Sequence, residues 1–228
     1  MSFATLELTG GMEWLALLPA YLLGSIPFGW VFVRVLHKKD LRTEGSGNIG
    51  ATNAMRVLGK PLGLLCFLLD FGKGYVPVYF FADWLSGNAE LLPVLRVACG
   101  AAAVAGHVWP LYLGFRGGKA VATGCGGIVA IDPMIFVFGG LIWLATLAVT
   151  RYVGLASMLM GVSWPIVASL RAPGRAYDSE VAIGTGLLAV LILWRHRANI
   201  GRMLNGTESR IGKPKADTGE KDEGIAGS

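Results

Sequence analysis

Charge is scarce in this chain: 15% of its 228 residues are Asp, Glu, Lys or Arg, against 54% hydrophobic residues and a mean hydropathy of +0.56. The apolar residues come in long uncharged runs rather than stripes at helical spacing, which excludes an ordinary soluble domain. Cysteine is also rare. Cys66, Cys99 and Cys125 all fall in apolar segments without metal-type spacing, so no disulfide framework is implied and packing is their expected role. No H-E-x-x-H, G-x-S-x-G or Cys/His cluster is present, so zinc hydrolysis and elbow-type serine catalysis lack support, and no metal or other cofactor is expected. G-x-x-x-x-G-K-[ST] and the strand-turn-helix dinucleotide fingerprint are missing too. No internal period of roughly 20–50 residues indicates a repeat array. The first residues lack a basic region, carry Glu7 and Glu13, and lead into an apolar run too long for a cleavable signal.

What remains is an integral membrane pattern. Apolar runs cover roughly 12–36, 62–82, 91–113, 119–131, 133–149, 152–170 and 180–194. A spanning helix needs about 20 residues, so 119–131 and 133–149 are short and are expected to be tilted, partial or re-entrant. With the N-terminus outside, the inner segments 37–60, 114–119, 150–151 and 195–228 hold fifteen of the twenty Lys and Arg residues. The outer turns collect Glu7, Glu13, Asp83, Glu90, Asp132, Asp178 and Glu180. This asymmetry predicts an all-α polytopic bundle of about seven helices, N-terminus out and C-terminus in the cytoplasm. Residues 1–213 form a single membrane domain, and the small, charged tail 214–228 is expected to be disordered.

The polar residues gather at few places. Gly45-Ser46-Gly47-Asn48-Ile49-Gly50-Ala51-Thr52-Asn53 is a glycine-rich polar loop behind the first apolar run, flanked by Lys38, Lys39, Arg42 and Arg56. Glycines let backbone amides approach an anion closely, and Ser, Asn and Thr add neutral donors, so the loop predicts phosphate binding at a membrane surface. Asp70 and Lys73 stand three apart within the second run, on one helix face. A charge at that depth costs about 2.5–3.5 kcal/mol on insertion scales, which favours a functional role; a structural ion pair between helices is the plainer alternative.

His107, after Gly106, reads first as a hydrogen-bonded packing histidine and second as a base. Gly117-Gly118-Lys119 opens the fourth run, where a helix N-terminus, flexible glycines and a cation suit an anion. There the two glycines are expected to leave space beside Lys119 for a ligand. His196 and Asn199 follow the last run and share a face if its helix continues, with Arg195 on another face. Arg195 and Arg197 also fit a basic cap that anchors the helix to headgroups. All these groups map to inner helix ends, so one inner-face site could contain them.

In this order and spacing, these pieces resemble a known family. Gly24-Ser25-Ile26-Pro27, the 45–53 loop, Asp70-Phe71-Gly72-Lys73-Gly74, Gly106-His107, Phe115-Arg116-Gly117-Gly118-Lys119-Ala120-Val121-Ala122-Thr123 and Arg195-His196-Arg197-Ala198-Asn199-Ile200 are similar to motifs of the bacterial integral-membrane acyl-phosphate:glycerol-3-phosphate acyltransferases. The resemblance runs from about residue 20 to 213 and is loosest at its end, where Gly206-Thr207-Glu208 is present but Ser209-Arg210 only loosely precedes Lys213. It implies a compact seven-helix fold in the bacterial inner membrane. It also implies acyl transfer from acyl phosphate to the sn-1 hydroxyl of glycerol 3-phosphate, giving lysophosphatidate and phosphate. The acyl phosphate would come from a separate peripheral phosphate acyltransferase that uses acyl-carrier protein. The H-x-x-x-x-D motif of the other glycerol-phosphate acyltransferases is missing, since Arg42, Tyr112 and Gly201 stand five positions after His37, His107 and His196.

On that resemblance, Ser46, Asn48, Lys119, His196 and Asn199 are the expected catalytic residues. Gly45, Gly47, Thr52, Asn53, Arg56, Gly72, Lys73, Gly117 and Gly118 would bind substrate. Asp70, His107 and Glu208 would support them. Acyl phosphate already carries a good leaving group, so positioning and charge stabilisation should dominate. Ser46 is expected to donate a hydrogen bond rather than carry the acyl group, because no His or acid at an interpretable spacing would activate it. A substrate phosphate could take the hydroxyl proton, with His196 as the rival base. A transporter of a phosphate-bearing solute, or a scaffold in a lipid-synthesis complex, are the competing classes.

Overall fold

The computed structural model describes residues 11–86, 89–171 and 178–212. Glu7, Arg175 and the tail 214–228, with the readings placed on them, lie outside the described residues. Among the described residues every regular element is helical. The first run contains α1 (Leu17–Gly24) and α2 (Phe28–His37), separated at Ser25-Ile26-Pro27 because Pro27 cannot continue the hydrogen-bond ladder. A loop then leads to the short α3 (Ala51–Leu58) and to α4 (Lys60–Val76), which runs through a π turn at Pro77–Phe81 into α5 (Ala82–Leu85). The chain returns as α6 (Leu92–Val108), α7 (Val121–Ile131), α8 (Pro133–Thr150), α9 (Val153–Arg171), α10 (Asp178–Arg195) and α11 (Arg197–Leu204).

Among the described residues, five stretches are long and apolar enough to cross a bilayer: Met12–His37, Lys60–Leu85, Leu92–Leu113, Pro133–Thr150 and Val153–Arg171. Ser179–Arg195 with Arg197–Leu204 makes a sixth if the bent pair counts as one span. All seven apolar runs are therefore helical. The 133–149 run reaches spanning length as α8, whereas α7 has 11 residues and stays short.

The shortness of α7 matters because of where it sits. It packs against α4 nearly backbone to backbone: a Cβ on Gly74 would strike the Thr123 carbonyl oxygen, and one on Gly126 would strike that of Phe71. Small residues permit this approach where hydrocarbon supplies no competing drive for association. α7 also packs against α6 and α8, and α8 against α9. At the opposite end from the loops, Asp132 caps α8 by accepting from the Met134 amide at 2.9 Å. Asp132 also receives Arg171 of α9 at 2.9 and 3.3 Å, which ties the two helices together.

Candidate active site

The loop ahead of α3 is shaped by Asn53. Its Nδ2 donates to the carbonyls of Glu44 and Asn48, both at 2.9 Å, and of Leu41 at 3.3 Å, while its Oδ1 accepts from the Ser46 amide at 2.8 Å. One buried side chain thereby closes the whole turn, and the Asn48 carboxamide adds a bond from the Gly50 amide at 3.2 Å. The donors of Asn53 expected to bind substrate are committed to the loop. Gly45 and Gly47 take positive φ of 59° and 72°, which suits glycine. They shape the turn but do not line the cavity beside it; Ser46, Asn48, Thr52 and Arg56 do.

Beneath the loop lies a fully buried polar cluster. Lys73 Nζ meets Asp70 Oδ1 at 2.8 Å and donates to the Ile26 carbonyl, also at 2.8 Å. That carbonyl belongs to the break between α1 and α2, where Pro27 leaves the ladder incomplete. Lys73 thus links α4 to the break between α1 and α2 through the Ile26 carbonyl, while the ion pair itself lies within α4. Gly72 and Lys73 lie outside the cavity lining, while Asp70 and His107 contribute to it. His107 Nδ1 pairs with the Thr123 hydroxyl at 3.2 Å and lies 3.7 Å from Asp70 Oδ1, so it joins α6, α4 and α7.

The glycines before Lys119 serve packing. A Cβ on Gly117 would strike the His107 carbonyl and Pro110, and one on Gly118 would strike His107 Nε2. The space expected there for a ligand is filled by the end of α6. Arg195 holds the same loop from the other side, with Nη2 donating to the Gly117 carbonyl at 2.7 Å and Nε to that of Gly118 at 3.0 Å. Arg195 thus braces this loop besides ending the helix, and it and Arg197 both lie over the Trp194 ring, at 5.5 and 4.8 Å. Lys119 follows this doubly held loop and precedes Ala120, whose φ of 58° is rare outside glycine and aims the lysine into the cavity.

The last helix does not continue past Arg195 as expected: it bends by 50° at His196, and α11 starts at Arg197. His196 and Asn199 still face one cavity, because the bend turns α11 across the bundle end. His196 Nδ1 lies 2.8 Å from the Ile192 carbonyl, which can only accept, so Nδ1 carries the proton and Nε2 is left as an acceptor. Lys119 Nζ donates to Asn199 Oδ1. Asn199 Nδ2 donates to Glu208 Oε1 at 2.7 Å, and Arg202 Nε donates to Glu208 Oε2 at 2.6 Å. The chain after α11 is strapped back over the site by the Ile211 amide, which donates to the Arg151 carbonyl at 3.0 Å.

These groups surround a cavity of about 710 Å³. One pole carries Ser46, Thr52, Arg56, Lys119, His196, Asn199 and Glu208. Burial pushes the Lys119 ammonium down to about 8; Arg202, Arg56 and Arg195 act in the same direction, and Glu208 opposes them. Of these cations Arg56 and Lys119 line the cavity, while Arg195 is engaged by loop carbonyls and Arg202 by Glu208; the net positive charge suits an anion. The other pole is an apolar arm between α4 and α8, walled by Leu64, Phe67, Val137, Gly140 and Leu144. Sequence reasoning expects the acyl chain to leave between apolar helices but names none of the residues of this arm, and it missed Ser209 and Ile211 on the strap. Nothing in a uniformly apolar helix marks which face borders a cavity.

A model of the glycerol-3-phosphate acyltransferase family matches residues 14–206. The chain belongs to that family. A glycerol-3-phosphate acyltransferase of Shouchella clausii is 42% identical over 86% of this chain and 94% of the relative. Another from Aquifex aeolicus is 42% identical over 84% of this chain and 95% of its own length. The crystal structure of PlsY (YgiH), an integral membrane glycerol 3-phosphate acyltransferase, in its glycerol 3-phosphate form is similar at a TM-score of 0.80 and 39% identity. It covers 89% of this chain and 96% of that one. A second crystal form of PlsY, with lysophosphatidic acid, gives a TM-score of 0.77 at 38% identity. This acyltransferase is thus an integral membrane enzyme, and the transporter and scaffold readings lose their ground.

Proposed function

We propose that this acyltransferase moves a fatty acyl group from acyl phosphate to the sn-1 hydroxyl of glycerol 3-phosphate. The observation that carries the reading is the union, in one cavity, of a cationic pole with an apolar arm whose residues Leu64, Val137 and Leu144 are exposed. A long-chain acyl phosphate has this polarity: a charged head and a hydrocarbon tail. The PlsY structures with glycerol 3-phosphate and with lysophosphatidic acid supply the acceptor and product classes for a related chain.

In this mechanism the hydroxyl oxygen attacks the acyl carbonyl carbon, the new ester C–O bond forms, and the carbon–oxygen bond to phosphate breaks. Phosphate leaves and the hydroxyl proton passes to a phosphate oxygen, so no protein nucleophile is needed. Lys119 and the hydroxyls of Ser46 and Thr52 hold the donor phosphate, with Asn48 shaping the loop beneath it. Arg56, exposed at the cavity edge, grips the phosphate of glycerol 3-phosphate through its planar fork. His196 Nε2 accepts from an acceptor hydroxyl and orients it, while Asn199 passes the hold of Glu208 to Lys119. Gly117 and Gly118, fixed by Arg195, set the position of Lys119. Pre-set charge at a site sheltered from water is the main source of rate in such a scheme.

The positive-inside asymmetry supports a cytoplasmic position for this pole, at the inner membrane. There a peripheral phosphate acyltransferase that draws on acyl-carrier protein would deliver the donor. The test uses purified protein in lipid with palmitoyl phosphate and glycerol 3-phosphate, with palmitoyl-CoA as a parallel donor. Equal release of phosphate and 1-acyl-glycerol 3-phosphate from acyl phosphate alone is expected. Turnover only with the thioester would overturn the donor, and a 2-acyl product would overturn the position.

A further inference from the structure

Two adjacent glycines in α8 have opposite surroundings. A Cβ on Gly139 would strike Trp164 Nε1 of α9, so Gly139 is there to let the helices pack. A Cβ on Gly140 would meet nothing within 4 Å. Packing therefore gives no reason for glycine at 140, although glycine in a helix interior is destabilising relative to alanine. What Gly140 does border is the apolar arm of the cavity.

The arm has a direction. Its inner end is near Leu144, on the part of α8 that leads to Arg151, whose carbonyl receives the Ile211 amide of the strap. Its outer end is at Phe136, whose ring meets Phe71 of α4 edge-on, with centroids 6.3 Å apart at 74°. At roughly 1.5 Å of rise per residue, the wall from Leu144 to Phe136 is about 12 Å long. Gly140 stands at its midpoint, and Phe67 of α4 also lines the arm.

We propose that Gly140 determines which acyl chain lengths the enzyme accepts. Its bare backbone leaves room for the middle of the chain, and the Phe71–Phe136 pair limits the groove beyond it. The occupant is the acyl chain of donor and product, because the arm is continuous with the cationic pole that would hold their phosphate. This rests on the function proposed above. A side chain at 140 would exclude methylenes in proportion to its size. Each methylene denied burial should lower kcat/KM about fourfold, which is about 0.8 kcal/mol.

The experiment compares wild type, Gly140→Ala, Gly140→Leu and Phe136→Ala on acyl phosphates from decanoyl to stearoyl, with acyl-CoA donors in parallel. Thermal stabilisation by lysophosphatidates of the same lengths is the second readout and requires no donor chemistry. For Gly140→Leu we expect decanoyl and lauroyl chains to keep nearly wild-type values, while palmitoyl and stearoyl lose tenfold or more, on the order of two methylenes' burial. Phe136→Ala should shift preference toward stearoyl. Gly140→Ala should move in the direction of the leucine variant by about one methylene, and it decides the matter if leucine prevents folding.

Profiles that fall equally at all lengths, or that keep the wild-type ranking, would overturn the role of Gly140. If wild type turns over no acyl phosphate, the donor reading fails by itself. The lysophosphatidate series then judges Gly140 by the same change of ranking.

Discussion

Replacement of Lys119 by methionine, which keeps the length and apolar body of the side chain but removes its charge, probes the cationic pole most directly. The ammonium is disfavoured where it stands: a fall from 10.5 to about 8 corresponds to about 3 kcal/mol, at ~1.36 kcal/mol per pH unit. A phosphate brought into the cavity supplies the missing counter-charge and reverses that penalty as it binds. Loss of one positioned charge stabiliser typically costs about 100- to 1000-fold in rate, a similar energy. We therefore expect Lys119→Met to lower kcat/KM by at least about a hundredfold.

Stability should hardly change. The variant leaves Asn199 Oδ1 without its donor, at about 1–3 kcal/mol, and relieves the burial of a charge of similar size. The assay is phosphate release in lipid at saturating and limiting glycerol 3-phosphate, with thermal melting of the same preparations. The pH profile gives a second check. Because the free enzyme holds Lys119 near 8, the ammonium is the main form below that pH and is lost above it. Wild-type kcat/KM should then fall about tenfold per pH unit on the alkaline side, and this limb should be missing from Lys119→Met. Turnover within a few-fold of wild type, with the alkaline limb retained, would refute the electrostatic reasoning.

Glu208→Gln keeps a bond to Asn199 but removes the one group that raises the affinity of Lys119 for its proton, so the alkaline limb should move to lower pH. Arg195→Lys replaces a fork that spans the Gly117 and Gly118 carbonyls with a single ammonium; a roughly tenfold loss of kcat/KM, comparable to about 1.4 kcal/mol, should be relieved little by more acceptor. Asn53→Ala leaves the Ser46 amide and three carbonyls of the loop without their partner, and should lower the melting temperature and raise KM together; an unchanged KM would show that the loop does not hold substrate.

Much of this molecule was legible from local pattern. Long uncharged runs can be satisfied only as helices in hydrocarbon, so the helical class and the approximate limits of every run followed from backbone hydrogen bonding alone. The motif residues Ser46, Arg56, Lys119, His196 and Asn199 were legible because polar groups at helix ends in an apolar chain need a reason to be there. What sequence could not decide is which of those groups face the cavity. Glycine before Lys119 reads as freedom or space, and only the packing of α6 against Gly117 and Gly118 shows that both positions are full. Asn53 and Ser46 stand in one polar loop and both border the cavity, yet the carboxamide of the first is spent on holding the loop closed.

Arg195 and Arg197 differ by two positions at the end of one helix. Both lie over the Trp194 ring, but the first also donates to the Gly117 and Gly118 carbonyls and the second to the Trp194 carbonyl. Gly139 and Gly140 are identical in sequence terms, and separate only when α9 comes against one and a cavity against the other. Sequence thus determined the membrane class, the helices and the chemistry available. Tertiary structure decided its use, because helix rotation, the 50° bend and close α4–α7 approach depend on contacts between residues far apart in the chain.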